Sequence, residues 1–447
     1  MKDLTDRALN LAQVQGATYA DIRIVNTISQ TIVVKNGVVE ALEIGDDRGF
    51  GVRVIADGAW GFASSSVLSP PEVDRVTALA VQIARASALT RQTPVTLDTP
   101  RRITGSYRTA VEVDPFAVSL EAKIEHLLAA DAAMHRVKGI RTTKSSIGCL
   151  RIEKVFASTE GSYIEQTIVE TGAGMECLAV GPDDVQKRSY PNSFGRHQGT
   201  CGYELITQID MPANGEKIAE EAVGLLTAKS CPSGITTIIL GPTQLALQVH
   251  ESCGHPIELD RVFGTEAGYA GTSFLTTDKL GSFRYGSDIV NITADATIAG
   301  GLGSFGYDDE GVPAQRREIV RNGIFVGYLT DREHAARLGQ QSGGAARADG
   351  WNRIPLVRMT NINLEPGTWK LEDLIADTDD GIYMELNKSW SIDDKRLNFQ
   401  FGTEIAFEIK GGKMGAMLKN ATYTGITPQF WASCDAICSK EYWSVWG

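Results

Sequence analysis

Between residues 21 and 65 the chain runs as strand-like segments, DIRIVN, TIVVKNG, VVEALEIG, GFGVRVIADG and WGFASSS, broken at Lys35-Asn36-Gly37 and Ala56-Asp57-Gly58. Asn-Gly and Asp-Gly supply the positive φ angles that a two-residue hairpin turn requires. Two such turns in succession force an antiparallel meander and exclude a βαβ crossover here. Helical spacing over residues 3–15 precedes the meander. After it, Ser69-Pro70-Pro71 opens a helix whose apolar face is expected to carry Val76, Leu79, Ala80 and Ile83. The Thr/Pro-rich passage 90–104 reads as a linker or a long covering loop.

From about 114 to 232 the pattern predicts a helix over 119–137, the strands GCLRIEKVFAS and SYIEQTIVETGAGMECLAV around a Thr-Glu-Gly turn, and a helix in GEKIAEEAVGLLTAKS. The strand GITTIILG and the helix TQLALQVHESCGH then open a region of short strands and Gly-rich turns. Strands and helices do not alternate as repeating βαβ units, so the expected class is α+β. It divides into an N-terminal α/β region with meander and helices (1–112), a middle α+β domain (113–232) and a strand-rich C-terminal domain (233–447).

The net charge of −12 argues against a general nucleic-acid binder, which needs a basic face to neutralise phosphates. The N-terminal residues are too polar for a signal peptide, and nowhere do about 18 consecutive apolar residues suggest a membrane span. Seven scattered cysteines fit a reducing cytoplasm better than a disulfide framework.

Residues 249–260, VHESCGHPIELD, hold two of the six histidines of the chain. His250 and His255 are five apart, not the four of H-E-x-x-H. On a regular helix five steps of about 100° leave two side chains roughly 140° apart. They converge on one ion only if the helix widens into a π-type turn or unwinds. Gly254 frees the backbone there, and Pro256 disfavours helical geometry at His255. On this reading His250 and His255 bind a divalent metal, zinc being the one that imidazole suits, and Glu251 is the general base for the attacking water. The alternative is a buried helix with hydrogen-bonded histidines.

A third ligand must come from elsewhere. Glu258 and Asp260 are near, although a solvated turn or a carboxylate orienting a histidine is their commoner role. Cys434 and Cys438 are distant thiolate candidates, and Cys253 reads as a small buried residue. Acidic residues 308–310 read as part of a turn. His334 could donate to a transition state, but a cap on the helix near 331–338 is the favoured reading.

Five blocks, RGFGVRVIADGAWGFASSS, HESCGH with ELD, DDEGVPAQ, NGIFVGYLTDR and RMTNINLEPG, resemble in order those of the TldD/PmbA family, once described as modulators of DNA gyrase and regarded as metalloproteases. The resemblance spans nearly the whole chain. It implies that His250 and His255 bind zinc, that Glu251 is catalytic, and that a C-terminal cysteine is the third ligand. The family segment G-x-C-G-K corresponds to WASCDAI, which points to Cys434 with Cys438 in reserve, although Asp435 stands where glycine is usual. The resemblance further implies a cytoplasmic peptidase for unfolded or leader-type peptides. It would act as a homodimer or with a metal-free paralogue, and keeping the motif makes this chain resemble the active, TldD-like member. The competing class is a regulatory binding subunit that needs such a partner for activity.

Overall fold

The two hairpin turns form as their residues require. Asn36 and Asp57 take left-handed backbone angles (φ 50° and 52°), and Gly37 and Gly58 follow at 75° and 74°. The computed structural model describes all 447 residues. The strand-like segments fuse across residues that looked like breaks, giving β1 (Tyr19–Lys35), β2 (Val38–Ala56) and β3 (Ala59–Ser65). β4 (Thr104–Arg108), β5 (Ile140–Ser158) and β6 (Tyr163–Val180) complete a sheet ordered β3-β2-β1-β5-β6-β4, with two short strands added to β6. β1 pairs β5 from Asp21↔Ser158 to Lys35↔Lys144. The sheet therefore runs unbroken past residue 112.

Strand periodicity decides what each face meets. On β1 the even residues Ala20, Ile22, Ile24, Ile32 and Val34 are buried under helices. Helices Lys2–Val14 and Pro70–Ala88 cover one end of that face, and Leu120–His135 and Met211–Thr227 cover the other. In the helix Pro70–Ala88 the buried face is Val73, Val76, Thr77, Ala80, Val81 and Ala84. Leu79 and Ile83, expected there, are instead each 37% exposed. The sheet approaches too closely for larger side chains: a Cβ at Gly61 would strike Ala80 O and Ala84 N, so the small residues of the helix face β3.

The odd residues Asp21 and Arg23 face the C-terminal region and are buried as charges. Arg53, opposite Asp21 on β2, donates to it at 2.7 and 3.0 Å and to Glu310 at 2.9 Å. Arg332 donates to Asp98 at 2.8 Å and to Glu160 at 2.9 and 3.0 Å. Asp98 lies in the 90–104 passage, which is thus a covering loop fastened by ion pairs. Asp309 accepts from Lys154 at 3.0 Å.

The C-terminal region carries a six-stranded sheet in which the parallel pair Thr237–Leu240 and Asp380–Ile392 is followed by Asn398–Lys410 and its neighbours. A four-stranded sheet centres on Ile292–Asp295. The largest core packs on this second sheet, where Val249, Cys253, Ile257, Tyr285 and Trp431 meet Ile292 and Ala294.

Removing one member of a buried ion cluster leaves its partners charged and unsatisfied, at a cost of about 3–5 kcal/mol. Arg332→Ala should therefore destabilise the protein by about that much in urea titration. Lys410→Ala, which removes the exposed pair with Asp380, should change stability by less than about 0.5 kcal/mol.

Candidate metal and catalytic site

Strand Thr237–Leu240 leads straight into helix Pro242–Val249, and the backbone then widens into a π-type turn over His250–Gly254. Its closing bond runs from the His255 N–H to the His250 carbonyl, five residues back. A Cβ at Gly254 would fall on Met359 Sδ, so the methionine thioether occupies the space that the missing side chain leaves. Widening rotates both histidines onto one face: their ring centroids lie 4.9 Å apart at 86°. Donor atoms of His250, Glu251 and His255 all fall within 4.8 Å of one another.

Each member is held differently. The His255 Nδ1 pairs with Glu258 Oε2 at 3.0 Å, which makes Nδ1 the protonated nitrogen and leaves Nε2 free. Glu258 is fully buried and also accepts from Arg261 Nη2 at 2.9 Å and Nε at 3.1 Å. Burial pushes its carboxyl up, but His255 and Arg261 outweigh that and hold it below the usual range. Glu251 is 5% exposed, and its Oε2 accepts from Arg396 Nη1 at 2.9 Å.

His250 is accessible to solvent yet set among protein groups. Desolvation first, and His255 second, push its pKa down to about 4. Accessibility softens the desolvation, and the repulsion from His255 remains. A neutral imidazole offers its lone pair to a cation without first losing a proton.

Two imidazoles and a carboxylate form a donor set suited to a divalent transition metal, and the Glu258–His255 pair is the arrangement that orients a ligating histidine. The chain thus fits a metal at His250 and His255. Cys434 and Cys438 stand outside the close set. Cys434 is half-buried against the same core, its carbonyl held by Ser287 Oγ. Burial first, and Asp435 second, push its thiol up to about 11, so it is protonated without a metal. Cys438 forms an isolated parallel bridge with Trp369.

Cys253 is fully buried, as expected of a small apolar residue. His334 is not the helix cap. Asp331 caps Arg332–Arg337 by accepting from His334 N, and its carboxylate also holds the His334 ring at 2.8 Å. Acidic side chains hold this role better than imidazole because two oxygens serve N–H and ring at once. Two participants were not evident from sequence. Trp431 Nε1 donates to Ser252 Oγ at 3.0 Å, clamping the turn from behind. Arg396 comes from the connection between two long strands, and only their pairing register reveals that it reaches Glu251.

A cavity of about 840 Å³ lies where the first sheet faces the C-terminal region, with Lys154, Glu170, Arg347 and Arg358 in its wall. Arg347 donates to the carbonyl of Met359, the residue packed on Gly254. The cavity thus adjoins the turn through a single residue.

Models of three successive domains match the chain: PmbA/TldA metallopeptidase domain 1 at residues 20–84, the central domain at 113–228 and the C-terminal domain at 233–446. A metalloprotease of Methanocaldococcus jannaschii is 33% identical over 427 residues, covering 95% of this chain and 90% of its own. A zinc metalloprotease TldD homolog of Saccharolobus solfataricus is 23% identical over 434 residues, covering 93% and 88%. Among solved structures, a Thermotoga maritima protein described as a candidate modulator of a DNA gyrase superposes with a TM-score of 0.80 at 19% identity, covering 98% of this chain and 95% of its own.

Glu258→Gln should weaken divalent-metal binding about 10- to 100-fold in chelator competition, because His255 loses the carboxylate that fixes its tautomer. In the metal-free protein, His250 should remain neutral well below the pH at which an ordinary histidine protonates, as an NMR titration would read. Unfolded His250 binds its proton near pH 6.5 and the folded residue only lower. Metal-free stability should therefore fall as pH drops from about 6.5 toward 4.

Proposed function

Because this chain belongs to the PmbA/TldD family of metallopeptidases, we propose that it hydrolyses unfolded or leader-type peptides at the His250–Glu251–His255 centre, with zinc as its metal. The observation that carries this reading is the convergence of three donor groups on a π-type turn, with Glu258 orienting one of them.

His250 and His255 would hold the ion, His255 through Nε2, with Cys434 as the proposed third ligand. When bound, such an ion polarises a carbonyl and acidifies water. The remaining work falls to the chain. Glu251 keeps Oε2 on Arg396, which leaves Oε1 to take the proton of the attacking water and to pass it to the departing amine. Cys434 enters from the family resemblance, since it stands outside the close set of His250, Glu251 and His255.

No helix is long and apolar enough to cross a membrane, and all seven cysteines are free thiols. These features support a cytoplasmic setting. We also propose a dimer, with itself or with a metal-free paralogue. Val38 and Ile44 are each 66% exposed on the β1–β2 hairpin and give a partner apolar surface to cover.

Glu251→Gln should retain about one zinc per chain and lose roughly 10²- to 10⁴-fold in kcat on an unfolded protein or leader peptide. Undiminished hydrolysis with metal in place would rule out Glu251 as the base. Elemental analysis of Cys434→Ser and Cys438→Ser, side by side, should show zinc lost only from the first.

A further inference from the structure

Arg396 is poorly satisfied by its own chain. A guanidinium offers five N–H donors, and here one hydrogen bond is made, from Nη1 to Glu251 Oε2 at 2.9 Å. The Nε–H is buried with no acceptor, yet the side chain keeps 18% of its surface accessible beside Glu251 and His250. Its backbone is left-handed at φ 63°, a conformation that a branched-free but bulky residue adopts only when the surroundings impose it.

Those surroundings are firm. Arg396 N donates to Asp393 O at 2.8 Å, and Asp393 accepts from Leu397 N at 2.8 Å and Asn398 N at 3.1 Å. Thr427 Oγ1 donates to the Arg396 carbonyl at 3.0 Å. Thr427 begins the helix Thr427–Ala432, whose Trp431 is bonded to Ser252 beside Glu251. One short helix thus fixes the Arg396 turn and the catalytic turn relative to each other. A cation beside two histidines that converge for a metal opposes metal binding, and Glu251 engages only one of its N–H groups. It suits a negative charge that arrives with the substrate.

We propose that Arg396 is a further catalytic residue, donating its free Nη N–H groups to the scissile carbonyl oxygen as that oxygen becomes negative. In the step, the water oxygen bonds to the carbonyl carbon, the π pair moves onto the carbonyl oxygen beside Arg396, and the water proton goes to Glu251. Collapse returns the pair, breaks the C–N bond and delivers the proton to the amine. The assignment rests on the peptidase reading above.

The test uses the zinc-loaded protein, Arg396→Ala and Arg396→Lys, and one peptide with either a free or an amidated C-terminus. Arg396→Ala should keep its zinc, lose about 10²- to 10³-fold in kcat on both peptides and change KM little; Lys should recover part of the loss. A phosphinic peptide, which mimics the tetrahedral oxygens, should bind Arg396→Ala more weakly by a similar factor in calorimetry. The uncleaved peptide, measured on a Glu251→Gln background, should bind with unchanged affinity. Unchanged phosphinate affinity would overturn the proposal and leave Arg396 as a holder of Glu251. A loss confined to KM on the free-acid peptide would overturn it in favour of a terminal-carboxylate anchor, and loss of zinc in favour of a structural role. If Arg396→Ala does not fold, the phosphinate affinity of Arg396→Lys decides. No hydrolysis of either peptide by the unmutated zinc-loaded protein would instead defeat the underlying peptidase reading.

Discussion

The hydrogen bond from the His255 N–H to the His250 carbonyl closes a ring one residue wider than an α-helical one, and the site depends on that extra residue. It turns a five-residue spacing, which on an ordinary helix would splay the histidines, into a pair of rings 4.9 Å apart. A π-type turn has few favourable contacts of its own, so neighbouring structure must impose it. Met359 fills the space that Gly254 leaves, Trp431 bonds Ser252, and Tyr285 Oη donates to the Ser252 carbonyl at 2.9 Å. The largest core of the molecule is thus built around the reverse side of the turn, with the donor groups on its open side.

Electrostatics follow the same division. Glu258 is sunk behind His255 with Arg261 on its other side, which gives that histidine one defined tautomer. Glu251 faces Arg396, so its two oxygens are no longer equivalent. Elsewhere the buried charges Asp21, Arg53, Glu310, Arg332 and Asp98 join the odd-numbered face of the first sheet to the region that carries the site. Buried ion pairs of this kind add less to net stability than they do to a unique docking geometry, since any other alignment would strand a charge.

Much of this was legible in the sequence because it is local. Asn36-Gly37 and Asp57-Gly58 dictate their turns, and Gly254 with Pro256 announce a widened helix between His250 and His255. The length of β1 and β2 was not legible: residues such as Thr27 and Gly45 look like breaks, but pairing on β1 and β5 carries the strands through them. The buried face of helix Pro70–Ala88 was misread because apolarity points to Leu79 and Ile83, whereas close approach at Gly61 selects alanines. Arg396 lies about 145 residues from Glu251 in a turn with no motif, and its reach is set by the register of two strands. Such contacts are properties of topology, and no window of sequence contains them.

The unbroken sheet has one more consequence. Because β1, contributed before residue 36, lies between β2 and β5, the first and second thirds of the chain share a backbone ladder of hydrogen bonds. Their strands belong to one sheet. A nick near residue 112 would leave both fragments clasped, whereas fragments made apart would each display a long naked strand edge prone to pairing with the wrong chain.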